Sequence, residues 1–398
     1  MRSSVPRGAR PGLIMLALAA GAFAIGTTEF AAMGLLPFFA RDLGIDEPTA
    51  GHAISAYALG VVVGAPIIAV LSARIARRTL LIGLMTMFAL GNALSAVSQS
   101  YHEMILFRFL SGLPHGAYFG IAALVIASLV EPGRRTRAIS RMFLGLTIAT
   151  IIGVPLSSWF AQAVGWRWSF VIVAALGLLT ATLVALWAPA DRPDSAASPL
   201  RELGALARGQ VWLTLVTAAI GFGGLFAVYT YLSVTLVEVT GVTPAFVPVV
   251  LAVFGIGMTV GNLVVPPFAD RALMPTAAGL LIFSAASMAL FPLAAHNPWA
   301  VMANVFVIGW GGSLGSLLQT RLMEVAEDAQ SLAAALNHSA FNVANALGPW
   351  LAGLAISAGF GWTSIGWVGC ALSLGGLPTL ALSVMLERKR RLRYAAAS

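Results

Sequence analysis

Residues 13–39 read LIMLALAAGAFAIGTTEFAAMGLLPFF, an apolar run broken by one carboxylate, Glu29. A helix crosses a bilayer core about 30 Å thick with about 20 apolar residues. This run is long enough to span, and too long for the apolar region of a signal peptide, which covers about 7–15 residues. Breaking the rest of the chain at charge and turn clusters gives eleven more such runs. The twelve are 12–37, 49–73, 79–99, 102–129, 136–162, 166–188, 211–237, 243–269, 274–295, 298–320, 330–357 and 361–386. The expected fold class is therefore an all-α integral membrane protein of twelve transmembrane helices.

Composition leads to the same class. Of 398 residues 59% are hydrophobic and 10% charged, against roughly a quarter charged in a soluble domain, and the mean hydropathy is +0.89. The net charge of +8 would suit nucleic acid, but the excess is arginine confined to short loops, so no nucleic-acid partner is expected. The single cysteine, Cys370, excludes an intrachain disulfide and a multi-cysteine metal site. It is read as a buried structural thiol.

Basic residues mark the inner side of a membrane protein. With the N-terminus inside, 20 of the 23 basic residues fall in inner segments, the exceptions being Arg41, Arg108 and Arg167. Both termini are thus expected in the cytoplasm, with the protein multi-pass in a bacterial cytoplasmic membrane and the bilayer itself a partner.

The Pro-, Ser- and charge-rich stretch near the middle separates six spans from six. Expected boundaries are 1–188 for a first six-helix bundle, 189–210 for a cytoplasmic linker, 211–386 for a second bundle and 387–398 for a basic tail. The halves repeat one another. Gly64 and Arg74 recur as Gly261 and Arg271, and Gly112 as Gly309; Gly153 recurs as Gly348, and Gly165-Trp166 as Gly361-Trp362. Offsets of 195–197 in all five matches mark an internal repeat. Repeated halves with the substrate held between them are how many secondary transporters are built.

Glu29 is read as the only acid well inside a span, with Asp270, Glu103 and Glu238 at helix ends. With the helix leaving the membrane near Pro37, it lies about 12 Å below that end at 1.5 Å per residue. An intramembrane acid is costly facing lipid and belongs in a cavity or a pair. Arg108, in ILFRFLSGLPHGAYFG, is read as the one arginine deep in a span, at a similar depth, so the two can pair. His115 follows seven residues later on the same helical face, fit either to relay protons or to bond within the packing. Glu29, Arg108 and His115 form the candidate proton-coupling set. In the eleventh span His338, Asn342 and Asn345 make a polar stripe, either interhelical fastening or cavity lining. Phe222, Phe226 and Tyr229 share a face of the seventh span. With Thr28, Phe30, Met33, Tyr57, Tyr118 and Phe119 these are the candidate substrate contacts. No GxxxxGK[ST] loop, HExxH, GxSxG or metal-ligand cluster occurs. ATP as energy source, a metal and an enzymatic constellation are all unsupported.

These residues carry a resemblance. TTEF with MGLLP (27–37), GAPIIAVLSARIARRTLL (64–81), RFLSGLPHG (108–116), GVPLSSW (153–159) and GWRWSF (165–170) resemble the major facilitator superfamily. Within it they are most similar to the twelve-span drug:proton antiporters of the arabinose- or sugar-efflux and chloramphenicol-exporter-like group. The resemblance implies two pseudo-symmetric six-helix bundles, export of small organic solutes or drugs in exchange for protons, and no cofactor beyond the proton gradient. It also implies a monomer. It ties Arg108 and Gly112 to proton coupling, and Gly145, Gly153 and Pro155 to the antiporter motif of the fifth span. Ala149 and Ser157 depart from that motif, standing where glycine is usual. Gly64, Arg74, Arg77, Arg78, Asp270 and Arg271 match gating motifs, but Ala73 replaces the aspartate expected before Arg74. Two other readings of the residues remain: a proton-independent sugar or metabolite facilitator of the same fold, and a non-transporting receptor or scaffold.

Overall fold

The computed structural model describes residues 11–45, 47–190, 202–327 and 329–397. Residues 191–201, half of the expected linker, and the first ten residues lie outside them, as do the side chains beyond Lys389 and that of Met33. Among the described residues, twelve helices, or helices joined end to end, are long and apolar enough to cross a membrane. The described residues contain no strand. Large apolar side chains stand on the surface, among them Leu71 at 74%, Leu186 at 69% and Trp299 at 70% exposure. Such a surface suits a lipid environment.

The chain divides into two compact units, 1–205 with 328–342, and 206–327 with 343–398. In unit 1 the helices are α1 (Pro11–Leu43), α2 (His52–Leu71), α3 (Arg77–Val97), α4 (Tyr101–Ser128), α5 (Arg135–Ile148), α6 (Val154–Ala163) and α7 (Trp166–Trp187). A π-helical turn, Ala149–Gly153, joins α5 to α6, and Pro155 follows it at the start of α6. In unit 2 they are α8 (Gly209–Gly221), α9 (Gly223–Glu238), α10 (Val247–Val264), α11 (Leu273–Ala289), α12 (Pro298–Gly309) and α13 (Leu314–Val325). Helix α14 (Gln330–Ala355) begins in unit 1 and continues into unit 2, and α15 (Ser364–Ala397) completes unit 2. The sequence placed all of the eleventh span in the second bundle, whereas residues 328–342 lie with unit 1. Residues 387–397, in the expected basic tail, are helical and continue α15.

Local chemistry sets several ends. Ser100 caps α4 by accepting from the Glu103 amide, and Glu103 accepts from the Gln99 amide at 2.7 Å. This reciprocal pair satisfies two otherwise free donors. Asn297 accepts from the Trp299 and Ala300 amides at 2.9 and 3.0 Å, just before Pro298 opens α12. Gly165 and Gly361, matched by the repeat, both take positive φ, 109° and 76°, a conformation other residues rarely adopt.

The repeat extends to helix packing. In unit 1, α2 lies along α4, while α1 lies along α5 and α7. A Cβ at Gly60 would sit 2.2 Å from the Phe109 carbonyl oxygen, one at Gly64 2.2 Å from that of Leu113, and one at Gly112 2.2 Å from that of Tyr57. In unit 2, α10 meets α12 through Gly257 and Phe306, Gly261 and Trp310, and Gly309 and Phe254. Each residue number is displaced by 197, as from Gly60 to Gly257. Small residues at these crossings let backbones touch, which is how membrane helices associate where the solvent is as apolar as the core. Gly145 does the same against the Ala19 backbone of α1, and Gly153 leaves room for the Thr27 side chain. Cys370, expected buried, is only partly so.

Candidate functional site

The α2–α4 crossing fixes the polar centre of unit 1. Arg108 is 1% exposed. One of its terminal nitrogens donates to Thr28 Oγ1 at 3.0 Å and the other to the Thr28 carbonyl at 3.5 Å. Its guanidinium lies over the Tyr57 ring at 4.4 Å and near Phe170 at 5.4 Å. Thr28 Oγ1 in turn donates to Asn92 Oδ1 at 2.7 Å, and Asn92 Nδ2 to the Phe88 carbonyl at 2.9 Å. Arg108 thus joins α4 to α1, and Thr28 joins both to α3.

The direct Glu29–Arg108 pair allowed by their depths does not form. Successive residues on a helix point about 100° apart. With Thr28 turned to the guanidinium, Glu29 is turned aside and stays half-buried, in electrostatic reach of Arg108 and Tyr57 but bonded to neither. Helix α1 continues to Leu43, past the Pro37 near which it was expected to leave the membrane, and its apolar span closes at Ala32.

His115, two turns after Arg108, meets the same tyrosine: Tyr57 Oη and His115 Nδ1 are 3.0 Å apart. Its other nitrogen, Nε2, is 3.2 Å from Nδ1 of His338 on the first part of α14. Asn342 Nδ2 donates to the His338 carbonyl at 3.0 Å. Phe119 stacks on His338 at 4.1 Å. The hydroxyl of Tyr118, assigned to substrate, is spent on the Leu18 carbonyl at 2.8 Å. Phe30 is half-buried on α1.

The remaining assigned residues sit in unit 2 or at the ends of unit 1. The seventh span breaks at Phe222 between α8 and α9. Phe222 and Phe226 meet edge to face at 5.5 Å, and Tyr229 packs on Phe254 at 4.9 Å. Asn345 is half-buried in unit 2 while His338 and Asn342 belong to unit 1, so the α14 stripe is divided between units. In the basic loop Arg74 is exposed and Arg77 and Arg78 are half-buried. Arg78 donates to the Ala185 carbonyl.

Sequence reasoning missed three features. A second buried arginine besides Arg108 lies on a helix, near its end. The tenth span continues through α13 to Val325, and Arg321 within it is 5% exposed. It donates to Glu387 at 2.7 Å and lies 3.4 Å from Gln210 and 3.8 Å from Glu324. These residues, with Arg208 and Glu327, line a cavity of about 840 Å³. Arg271 lines a neighbouring cavity of about 500 Å³. Asn92, the sole asparagine of α3, was the available signal for the Thr28 fastening. At one end of unit 1 Asp42 pairs with Arg167 and accepts from Trp166 Nε1 at 3.2 Å, while Arg167 also donates to the Ser98 carbonyl at 2.9 Å. Asp42 lies beyond the apolar span of α1, and the Arg167 hydrogen bond holds its carboxyl below the usual carboxylate range.

Each helical unit is built on the same glycine crossing, one holds a buried arginine–threonine–tyrosine cluster, and the relatives of the chain mark it as a membrane transporter rather than an enzyme. The chain belongs to the Major Facilitator Superfamily, whose sequence profile matches residues 18–327. It is 41% identical over 381 residues to the inner membrane transport protein YdhP of Escherichia coli K12, covering 94% of this chain and 96% of that one. The chloramphenicol resistance protein of Streptomyces lividans is 34% identical over 343 residues, covering 84% and 87%. The structure of the proton:xylose symporter XylE superposes with a TM-score of 0.75 at 15% identity, covering 93% and 94%. That likeness is one of fold.

Proposed function

We propose that the protein is a proton-coupled antiporter that exports small organic solutes or drugs by alternating access. The observation that carries this reading is Glu29, a half-buried acid on a spanning helix, adjacent in sequence to the Thr28 that holds Arg108. A carboxylate at that depth persists where it does work. In one conformation Glu29 takes a proton as solute leaves; in the other it releases the proton as solute binds. Protonation biases the two states only if Glu29 is stabilised differently in each. A guanidinium one residue away from reach, free to exchange Thr28 for Glu29, supplies that difference. The proton gradient is the energy source and no cofactor is required. The protein acts as a monomer in a bacterial inner membrane, with both termini cytoplasmic.

The name of the Streptomyces relative makes chloramphenicol the first probe. Cells with and without the protein are compared on a panel of drugs, dyes and sugars, with and without a protonophore. The best substrate is then followed in proteoliposomes. Glu29→Gln abolishes export driven by an imposed pH difference while binding survives. If that variant still pumps against a gradient, the assignment of coupling to Glu29 is wrong.

One observation favours a second reading, a proton-independent facilitator. Arg108 is already engaged by Thr28 and Tyr57, as a purely structural arginine would be. Solute addition then moves no protons across the vesicle membrane.

A further inference from the structure

The mechanism above uses Glu29 and leaves a second chain of ionisable groups unused. His115 and His338 are 1% and 3% exposed. Their facing nitrogens are 3.2 Å apart, and the outer nitrogen of His115 is 3.0 Å from the Tyr57 hydroxyl. The remaining nitrogen of His338, Nε2, is buried with no hydrogen-bond partner. A buried polar atom left unmatched is costly, so this position points to a role.

We propose that His115 and His338 form a second proton-binding site, in which α4 and the first part of α14 share one proton. Two neutral imidazoles carry one N–H each, and one of these fills the gap between the rings. If Tyr57 donates to His115 Nδ1, then His115 Nε2–H donates to His338 Nδ1 and His338 Nε2 bears the other hydrogen. If His338 Nδ1–H donates to His115 Nε2, then His115 Nδ1–H donates to the tyrosine oxygen and His338 Nε2 is a bare acceptor. A proton arriving at that acceptor gives the pair three N–H hydrogens for four nitrogens, and the bond between the rings persists. A second arriving proton puts two N–H groups face to face across 3.2 Å, and the contact must open. One extra proton is held; two are not.

Burial opposes a charge on the pair, and the aromatic surroundings offset part of that cost. Phe119 and Phe143 lie parallel to the His338 ring at 4.1 and 5.8 Å, and Phe341 meets it edge-on at 5.6 Å. A cation over an aromatic face gains from the ring quadrupole. The ionisable groups nearby are Tyr57 on α2, Arg108 and Tyr118 on α4, and Glu29 on α1, which couples to Tyr57. From α5 comes Phe143, and from α14 Phe341 and Asn342. The two helices also approach closely here: a Cβ at Gly120 would be 2.7 Å from the Ala335 amide nitrogen and one at Gly116 3.2 Å from the Ala335 carbonyl oxygen. Helix α14 continues unbroken beyond residue 342 into unit 2. The protonation state of the pair therefore acts on a helix that belongs to both units.

This inference rests on the proton-coupled reading for its purpose, namely a second proton per cycle, but not for its test. Full-length protein with ¹⁵N-labelled histidine is titrated in nanodiscs between pH 5 and 9, its five histidines assigned by substitution. His115 and His338 are expected to change protonation in one common step. His338→Gln should displace the His115 titration by about one pH unit, the level at which two sites titrate as a pair, and His115→Gln should do the same to His338. The proposal is overturned if each ring titrates unmoved by loss of the other, or if neither changes protonation across the range. The same titration in Glu29→Gln separates the two ideas. A persisting common step with lost export supports both. Retained export sinks the Glu29 reading and leaves the pair standing. Lost export with uncoupled histidines sinks the pair only.

Discussion

Gly112→Ala tests whether the α2–α4 crossing organises the polar centre. The added Cβ would lie 2.2 Å from the Tyr57 carbonyl oxygen, 3.1 Å from its carbon and 3.2 Å from the Val61 nitrogen. All three are backbone atoms, so no side chain can swing aside. Non-bonded atoms sit at roughly 3.5 Å, so the helices must part by roughly 1 Å. Overpacking of this kind costs about 1–3 kcal/mol, while alanine in place of a helical glycine returns about 0.5–1 kcal/mol. The net loss is about 1–2 kcal/mol, and at about 2–4 °C per kcal/mol for a unit of this size the midpoint of thermal unfolding falls by about 2–8 °C. The residue pushed away is Tyr57, which lies under Arg108 and bonds His115, so transport falls as well. Two controls isolate the cause. Gly309→Ala makes the equivalent intrusion in unit 2, 2.6 Å from the Phe254 carbonyl oxygen, and should lower the midpoint while sparing pH-dependent transport. Gly83→Ala, with nothing within 4 Å of the new Cβ, should leave the midpoint level or slightly raised. A Gly112→Ala protein that melts within a degree of the parent would refute the close crossing.

Thr28→Val keeps the side chain's shape but strips the hydroxyl between Arg108 and Asn92; leaving buried polar partners unmet costs about 1–3 kcal/mol, read as a lower unfolding midpoint. Asp42→Asn removes the Arg167 pair at the end of unit 1, whose side chains are 39% and 46% exposed. The expected loss is under about 1 kcal/mol because water screens the pair. Its pH dependence has a fixed sign. The Asp42 carboxyl is held below its ordinary value, so its contribution is present above the unfolded value of about 3.9 and disappears as pH falls through the lower folded value. The difference between Asp42→Asn and the parent should therefore close on acidification below about pH 4. Glu387→Gln takes the nearest counter-charge from Arg321, 2.7 Å away; breaking a fully buried pair costs roughly 3–5 kcal/mol, and Glu324 at 3.8 Å reduces that here. A midpoint unchanged by this substitution would show that Arg321 gains nothing from the pair.

The twelve spans could be read from the sequence because hydropathy and helix length are local properties matched to a fixed bilayer thickness. The repeat was legible for a related reason: glycine at a helix crossing is required by backbone contact, so Gly64, Gly112, Gly261 and Gly309 mark the geometry wherever it recurs. Membership of the superfamily followed from the same short motifs. The tenth span was cut short at Thr320 because Arg321 looked like a loop residue, and only its ion pair with Glu387 and its contact with Gln210 make a helical, buried arginine stable there.

Partners were decided by the tertiary structure. That Glu29 and Arg108 lie at similar depth is a matter of counting residues. That Thr28 takes the guanidinium is a matter of rotation about α1, to which depth is blind. The spacing of Arg108 and His115 put them on one face, but Tyr57, from another helix, is what joins them. His338 was one of a stripe along α14; its place beside His115 depends on where that helix crosses α4. The sequence of this protein determined which segments enter the bilayer and which residues are chemically conspicuous there. Which of those residues touch depended on helix rotation and crossing, set by close packing between segments distant in the chain.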